Sequence, residues 1–189
     1  MNNNYYNTRE SVEEYINLAK DVNGSHLIRK LNDFLPPNSS LLEIGSGPGT
    51  DFQILKKDYK VVGSDNSTEF LNRLIDKNKQ DDFLTLDAIT LKIDRKFAGI
   101  YSNKVLQHLT NEELRKSIIR QVDILNPNGI VCHSFWKGGG DEIFKGLLVN
   151  YQTYESLRNL FENYFEFLLL EEYNEFEDGD SIILIGRKK

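Results

Sequence analysis

A chain of 189 residues, with 39% apolar and 28% charged side chains, is long enough for one domain with a proper core. Its 29 acidic residues against 23 basic ones leave a net charge of −6, a poor match for a nucleic-acid binder, which needs a basic face. One cysteine, Cys132, excludes an internal disulfide, and three histidines, His26, His108 and His133, argue against a multi-histidine site, so no metal is expected.

The start, MNNNYYNTRE, has neither the basic beginning nor the apolar core of an export signal. No apolar run approaches the roughly 20 residues that span a bilayer. A cytoplasmic protein without membrane contact, monomeric or homodimeric, is expected. The Asn-rich beginning reads as a frayed end, and residues 10–20 then carry Val12, Tyr15, Ile16 and Ala19 at helical spacing. Short apolar runs at 40–44, 60–64, 83–86, 97–102 and 129–135 suit strands covered on both faces. Two further strands follow at 165–172 and 181–187.

Helical stripes fall between the strands. Residues 68–79 align Phe70, Leu71, Leu74 and Ile75, with Ser67 placed to cap them. Thr110-Asn111-Glu112-Glu113 matches a capping box, opening a helix with Leu114, Ile118, Val122 and Leu125 in line. Asn126-Pro127-Asn128-Gly129 should stop that helix, and residues 152–164 align Tyr154, Leu157, Leu160 and Phe161. Strand–helix alternation implies a parallel sheet with helices on both faces. Only residues 173–180 separate the last two strands, so that pair must run antiparallel.

The densest motif is Glu43-Ile44-Gly45-Ser46-Gly47-Pro48-Gly49-Thr50-Asp51, where a buried strand passes through three alternate glycines into a helix. A dinucleotide fingerprint would need glycine where Thr50 stands, and a P-loop would need a lysine after Gly49. The remaining choice lies between a ligand loop and a bare turn. Asp65 ends the second strand, twenty residues after Gly45, where an acidic residue can accept both hydroxyls of a ribose. Asp87 ends the third strand at the same sheet edge, where open α/β sheets bind ligands.

From about Leu41 onward the chain resembles the class I S-adenosylmethionine-dependent methyltransferases, small-molecule branch. Leu42-Glu43-Ile44-Gly45-Ser46-Gly47-Pro48-Gly49 is similar to the first motif of that family. Asp65 matches its ribose-binding acid, and Asp87-Ala88-Ile89 the segment that contacts adenine. The run from Tyr101 to Leu109 is similar to its fourth-strand motif, and Leu125-Asn126-Pro127-Asn128-Gly129 to the turn before the fifth strand. The resemblance implies a doubly wound, Rossmann-like α/β sheet of seven strands, mostly parallel with an antiparallel last strand. It implies S-adenosylmethionine as cofactor, with Glu43, Gly45, Ser46, Gly47, Asp65, Asn66, Asp87, Ala88, Ile89, Asn103 and Val105 as its binding residues. The glycine-loop amides would take the methionine carboxylate, and Glu43 would face the amino group.

Methyl transfer from a sulfonium needs alignment and the exclusion of water more than a base. Should a proton have to leave, His108 is the candidate catalytic residue, with a structural histidine as the alternative. His133 reads as core and His26 as surface. Residues 138–140, all glycine, read as a mobile cover or a slack connector, while Tyr151 and Tyr154 face the pocket or pack the core. The fourth-strand motif lacks the signature of base-amino methyltransferases, and Cys132 has no Pro before it, so a small-molecule acceptor is expected, with nitrogen or oxygen methylated. A non-catalytic cofactor-binding module, or an enzyme acting on protein or RNA, is the alternative. The domain is expected to run over 1–189, with 1–35 a helical cap and residues 5–20 either a lid or a permanently docked helix.

Overall fold

A computed structural model describes residues 6, 8–20 and 22–189, which leaves Tyr5 outside the described residues. Two helices, α1 (Arg9–Leu18) and α2 (Ser25–Leu31), precede β1 (Ser40–Ile44), α3 (Thr50–Leu55), β2 (Lys60–Asp65) and α4 (Thr68–Lys77). Then come β3 (Asp82–Thr85), β4 (Phe97–Asn103), α5 (Asn111–Ile124) and β5 (Leu125–Trp136). The chain finishes with β6 (Asp141–Phe144), β7 (Leu147–Asn150), α6 (Tyr154–Phe161), β8 (Phe165–Tyr173) and β9 (Ser181–Lys188). Seven strands form one sheet in the order β3-β2-β1-β4-β5-β9-β8. The first five strands in that order are mutually parallel, and β9 is antiparallel to both β5 and β8. The reversed last strand therefore lies inside the sheet rather than at its rim.

Alternation along the strands makes two cores. On one face Ile100, Val131, Ile182 and Leu184 pack with Leu114 and Ile118 of α5 and Leu157 and Phe161 of α6. On the other, Tyr101, Cys132, Ile183 and Ile185 pack with Leu27, Ile28 and Leu31 of α2 and Leu55 at the end of α3. Neighbouring residues point to opposite faces of a strand, so a strand covered on both sides is apolar throughout. The edge strand β3 departs from that expectation, being exposed or half-buried along its length. The capping box forms as read, with Thr110 and Glu113 each accepting from the other's backbone, and Ser67 caps α4 by accepting from the Phe70 amide.

One local reading needs correction: residues 138–140 lead into a β6–β7 hairpin, because Asp141 to Phe144 pair antiparallel with Leu147 to Asn150. The segment 126–129 turns as read, with α5 ending at Ile124 and Asn128 at a φ of 59°, and it bulges from β5 between the Leu125–Phe97 and Ile130–Gly99 pairs. Among the described residues no helix is long and apolar enough to cross a membrane.

From β1 the chain winds outward to β2 and β3, then returns to place β4 on the other side of β1. The crevice above β1 and β4 is thus the topological switch point, where ligands bind in sheets of this kind.

Candidate functional site

The glycine loop leaves β1 at this switch point. Gly45 has a φ of 72°, and a Cβ there would stand 2.5 Å from a Val105 methyl, so both conformation and space demand glycine. Gly47, at a φ of 48°, meets nothing nearer than the Tyr15 ring at 4.0 Å. The amides of Ser46, Gly47 and Gly49 all donate within the protein, to Ser64 O, Asp65 Oδ2 and Ser46 O. The loop amides expected for a ligand carboxylate are therefore engaged, as buried N–H groups must be.

Glu43 is 2% exposed, and its Oε2 accepts from Ser46 Oγ at 2.5 Å. Burial, and after it the charge of Asp51, pushes the Glu43 carboxyl up to about 8. Asp65 at the end of β2 accepts from Gly47 N at 2.9 Å and Ser67 N at 2.8 Å. Burial raises its pKa while those amides pull it back. Asn66 beside it is exposed. Asp87 lies two residues beyond β3, where its Oδ1 accepts from Ile89 N and Thr90 N and shapes the 87–90 turn. Ala88 and Ile89 are partly buried against the core.

The end of β4 holds a hub that sequence reasoning passed over. Asp51, in the first turn of α3, accepts from Gly24 N at 2.6 Å, Tyr101 Oη at 2.7 Å and Asn103 Nδ2 at 3.0 Å. A Cβ on Gly24 would meet Tyr101 Oη at 2.1 Å, so glycine lets the start of α2 dock there. Asn103 Oδ1 accepts in turn from Ser134 Oγ. The Asn103 side chain is therefore spent on the protein, and Val105 closes the wall against Gly45. Lys104, at a φ of 56°, donates from Nζ to Phe135 O and Ser181 Oγ and lies 3.5 Å from the centre of the Trp136 ring. Burial pulls that ammonium down to about 7. The acid beside the glycine motif was the available signal for Asp51; Lys104 had none.

The three histidines separate cleanly. His108 follows β4 in a single 3-10 turn, and its Nδ1 donates to Leu148 O at 2.7 Å. A carbonyl accepts only, so Nε2 keeps the lone pair of the neutral ring, and burial lowers the pKa to hold it neutral. His133 is fully buried between Ser102 Oγ and Gln121 Oε1, both at 2.8 Å, and belongs to the core as read. His26 is a correction: it is half-buried, its ring 4.6 Å from that of Tyr173, because α2 docks through Gly24 onto the Asp51 hub.

Helix α1 lies across the glycine loop. Thr8 caps it, Val12 is buried, and the Tyr15 ring sits edge-on to Tyr6 at 5.3 Å and to Phe70 at 5.8 Å. Glu13 pairs with Arg73 of α4, while Glu14 pairs with Lys145 at the tip of the β6–β7 hairpin. Burial, and after it the charges of Asp51, Asp65 and Glu175, pushes the Tyr15 phenol up to about 12. Glu43, Gly45, Ser46, Gly47, Asp65, Asn103 and Val105 thus gather at one sheet edge beneath a tyrosine.

Residues 41–129 match the family model described as a methyltransferase domain. No curated protein sequence matches the chain. The fold is shared with the N-methyltransferase NodS from Bradyrhizobium japonicum WM9, solved with S-adenosyl-L-homocysteine, at 18% identity and a TM-score of 0.76, covering 96% of this chain and 98% of that one. It is shared with the 1,6-didemethyltoxoflavin-N1-methyltransferase of Burkholderia thailandensis, solved with 1,6-didemethyltoxoflavin and S-adenosylhomocysteine, at 17% identity and a TM-score of 0.80, covering 95% and 84%. An S-adenosylmethionine-dependent methyltransferase from Clostridium acetobutylicum gives 14% identity and a TM-score of 0.77 over 95% and 98%.

Proposed function

We propose that the chain is a class I methyltransferase that depends on S-adenosylmethionine and moves a methyl group onto a nitrogen or oxygen of a small molecule. The observation that carries this reading is the crevice itself: Glu43, Asp51 and Asp65 line it, and α1 roofs it. An acidic crevice suits a sulfonium and an ammonium and disfavours a pyrophosphate. The roof, clasped to α4 and to the hairpin, suits an acceptor small enough to be enclosed. The names of two fold relatives specify methyl transfer to nitrogen, one of the two is solved with bound 1,6-didemethyltoxoflavin, and both support the same reading.

The residues present fit the cofactor. Asp65 keeps unused lone pairs on both oxygens for a ribose, with Asn66 beside it. Asp87, Ala88 and Ile89 form the wall for adenine, and Glu43 faces the amino group directly or through Ser46. Gly45, Gly47 and Val105 let the ligand lie close to the backbone, and Asn103 holds that wall in place. S-adenosylmethionine supplies an activated methyl on a sulfonium. The chain aligns the acceptor, shuts out water beneath Tyr15 and offers His108 Nε2 to a departing proton.

Replacing Asp65 with alanine strips its partners from buried ribose hydroxyls and from the Gly47 amide. S-adenosylhomocysteine affinity is expected to fall about 10- to 100-fold, or roughly 1–3 kcal/mol. Calorimetry checks it, and parental affinity in the variant would remove Asp65 from the site.

We propose further that α1 is a lid on this single domain. It buries Val12 fully, and its clasps are half-exposed ion pairs of the kind worth roughly 0–1 kcal/mol each. Hydrogen exchange should show protection over residues 8–20 rising when S-adenosylhomocysteine is added. An unchanged pattern would make α1 a permanent part of the wall.

A further inference from the structure

The wall read as facing adenine, Asp87-Ala88-Ile89, gets little support from the sheet. The strand before it, β3, is the rim strand, four residues long and exposed or half-buried. Residues 87–91 then turn away from it, with Leu91 at a φ of 38°. Asp87 Oδ1 shapes this turn from within by accepting from the Ile89 and Thr90 amides. One face of α5 fixes its place in the molecule. Ser117 Oγ donates to Ala88 O at 2.6 Å, and Arg120 donates from Nε to Thr90 O and from Nη2 to Leu91 O, both at 3.1 Å. Ser117, Arg120 and Gln121 stand three and four residues apart on α5, so a single helix face presents all of them.

Behind Ser117 runs a buried chain of hydrogen bonds with a single direction. A carbonyl only accepts, so the Ser117 hydroxyl hydrogen points at Ala88 O, and its oxygen accepts from Gln121 Nε2 at 3.2 Å. Gln121 Oε1 then faces His133 Nε2 at 2.8 Å, which makes that nitrogen the protonated one. The lone pair left on His133 Nδ1 accepts from Ser102 Oγ at 2.8 Å. Ser102, Ser117, Gln121 and His133 are all fully buried, and Ser102 and His133 are register partners on β4 and β5. A fully satisfied buried network rigidifies what it joins. This one joins the end of β4, next to Asn103, to the carbonyl of Ala88.

We propose, resting on the reading of Asp87, Ala88 and Ile89 as the adenine wall, that Ser117 and Arg120 are positioning residues for the cofactor's adenine. Gln121 and His133 hold Ser117 in its donating orientation. Without the Ser117 hydroxyl, Ala88 O and Gln121 Nε2 lose their partner and the turn is freed, while Asp65 and the glycine loop keep their own hydrogen bonds. The test measures the affinity of two ligands for the parent, Ser117→Ala and Arg120→Ala. One is S-adenosylhomocysteine; the other is S-ribosylhomocysteine, the same molecule with a hydroxyl in place of adenine. S-adenosylhomocysteine is expected to bind Ser117→Ala about tenfold more weakly than the parent, and Arg120→Ala about three- to tenfold more weakly. S-ribosylhomocysteine should bind all three proteins within about twofold. Arg120 reaches solvent, so its variant gives a reading even where alanine at 117 does not fold. Parental affinity for S-adenosylhomocysteine in either folded variant, or a loss shared equally by both ligands, overturns the positioning role. A parent that binds both ligands alike would instead remove adenine from residues 87–89, and a parent that binds neither would overturn the methyltransferase reading; the proposal falls with each.

Discussion

His108→Gln is expected to lower the rate of S-adenosylhomocysteine formation about 100-fold or more while cofactor affinity stays within about twofold of the parent. The geometry makes the substitution discriminating. In the parent, Nδ1–H is held by Leu148 O, which fixes the tautomer with the lone pair on Nε2. A glutamine amide can still donate to that carbonyl, so the 3-10 turn after β4 should survive. Its remaining oxygen cannot take a proton at neutral pH, so a base would be lost and little else. The lowered pKa of His108 keeps the ring neutral near pH 7, so the parent's rate should hold level there and fall on the acid side. Turnover near that of the parent, with or without a loss of stability, would assign His108 to packing alone.

The second large effect lies in acid stability, and its sign comes from two buried groups that oppose each other. His133 is fully buried, and its pKa is pushed down to about 3 by that burial. The folded state thus binds fewer protons than the unfolded chain, whose histidines titrate near 6.5, so stability falls as the pH drops below about 6.5. The slope is about 1.4 kcal/mol per pH unit, and the whole span down to about 3 is roughly 5 kcal/mol. Glu43 runs the other way, because its carboxyl is raised to about 8 and takes up a proton on folding. Its contribution grows as the pH falls from about 8 towards its unfolded value near 4.5. Lys104, pulled down to about 7, opposes Glu43 above that value. Without cofactor, urea unfolding should therefore show stability roughly level from pH 8 to 4.5 and falling steeply below. Glu43→Gln should turn the level stretch into a decline, and His133→Gln should remove much of the loss below 4.5. A parent that loses stability steadily from pH 8 downward would contradict both assignments.

The fold was legible because its strands are short and apolar on both faces, as in Leu41-Leu42 and Val61-Val62, and alternate with capped helices. The antiparallel end was legible too, since seven residues between β8 and β9 leave no room for a crossover. Boundaries erred where local signals competed with pairing. Asn126-Pro127-Asn128-Gly129 stops α5 at Ile124 as read, but a single pair, Leu125 with Phe97, forms before it, so β5 starts earlier and the four residues bulge out of the ladder until pairing resumes at Ile130. The β6–β7 hairpin was hidden behind three glycines, and two four-residue strands give too short a pattern to read.

By itself the sequence determined the glycine motif, the acids Glu43, Asp65 and Asp87 near strand ends, and hence the resemblance to methyltransferases that use S-adenosylmethionine. These follow from local spacing, since a strand, a tight turn and a helix are specified by residues next to one another. The tertiary structure alone decided which side chains meet across the crevice. Asp51 gathers Gly24, Tyr101 and Asn103 from segments 27 to 52 residues away. His26 leaves the surface reading because α2 is docked by that same hub, and Lys104 is half-buried because β9 lies between β5 and β8 and brings Ser181 to it. Hydrophobic periodicity says that a face is covered but not by which partner, so contacts between distant segments, and with them the acceptor side of the site, exist only once the sheet has formed.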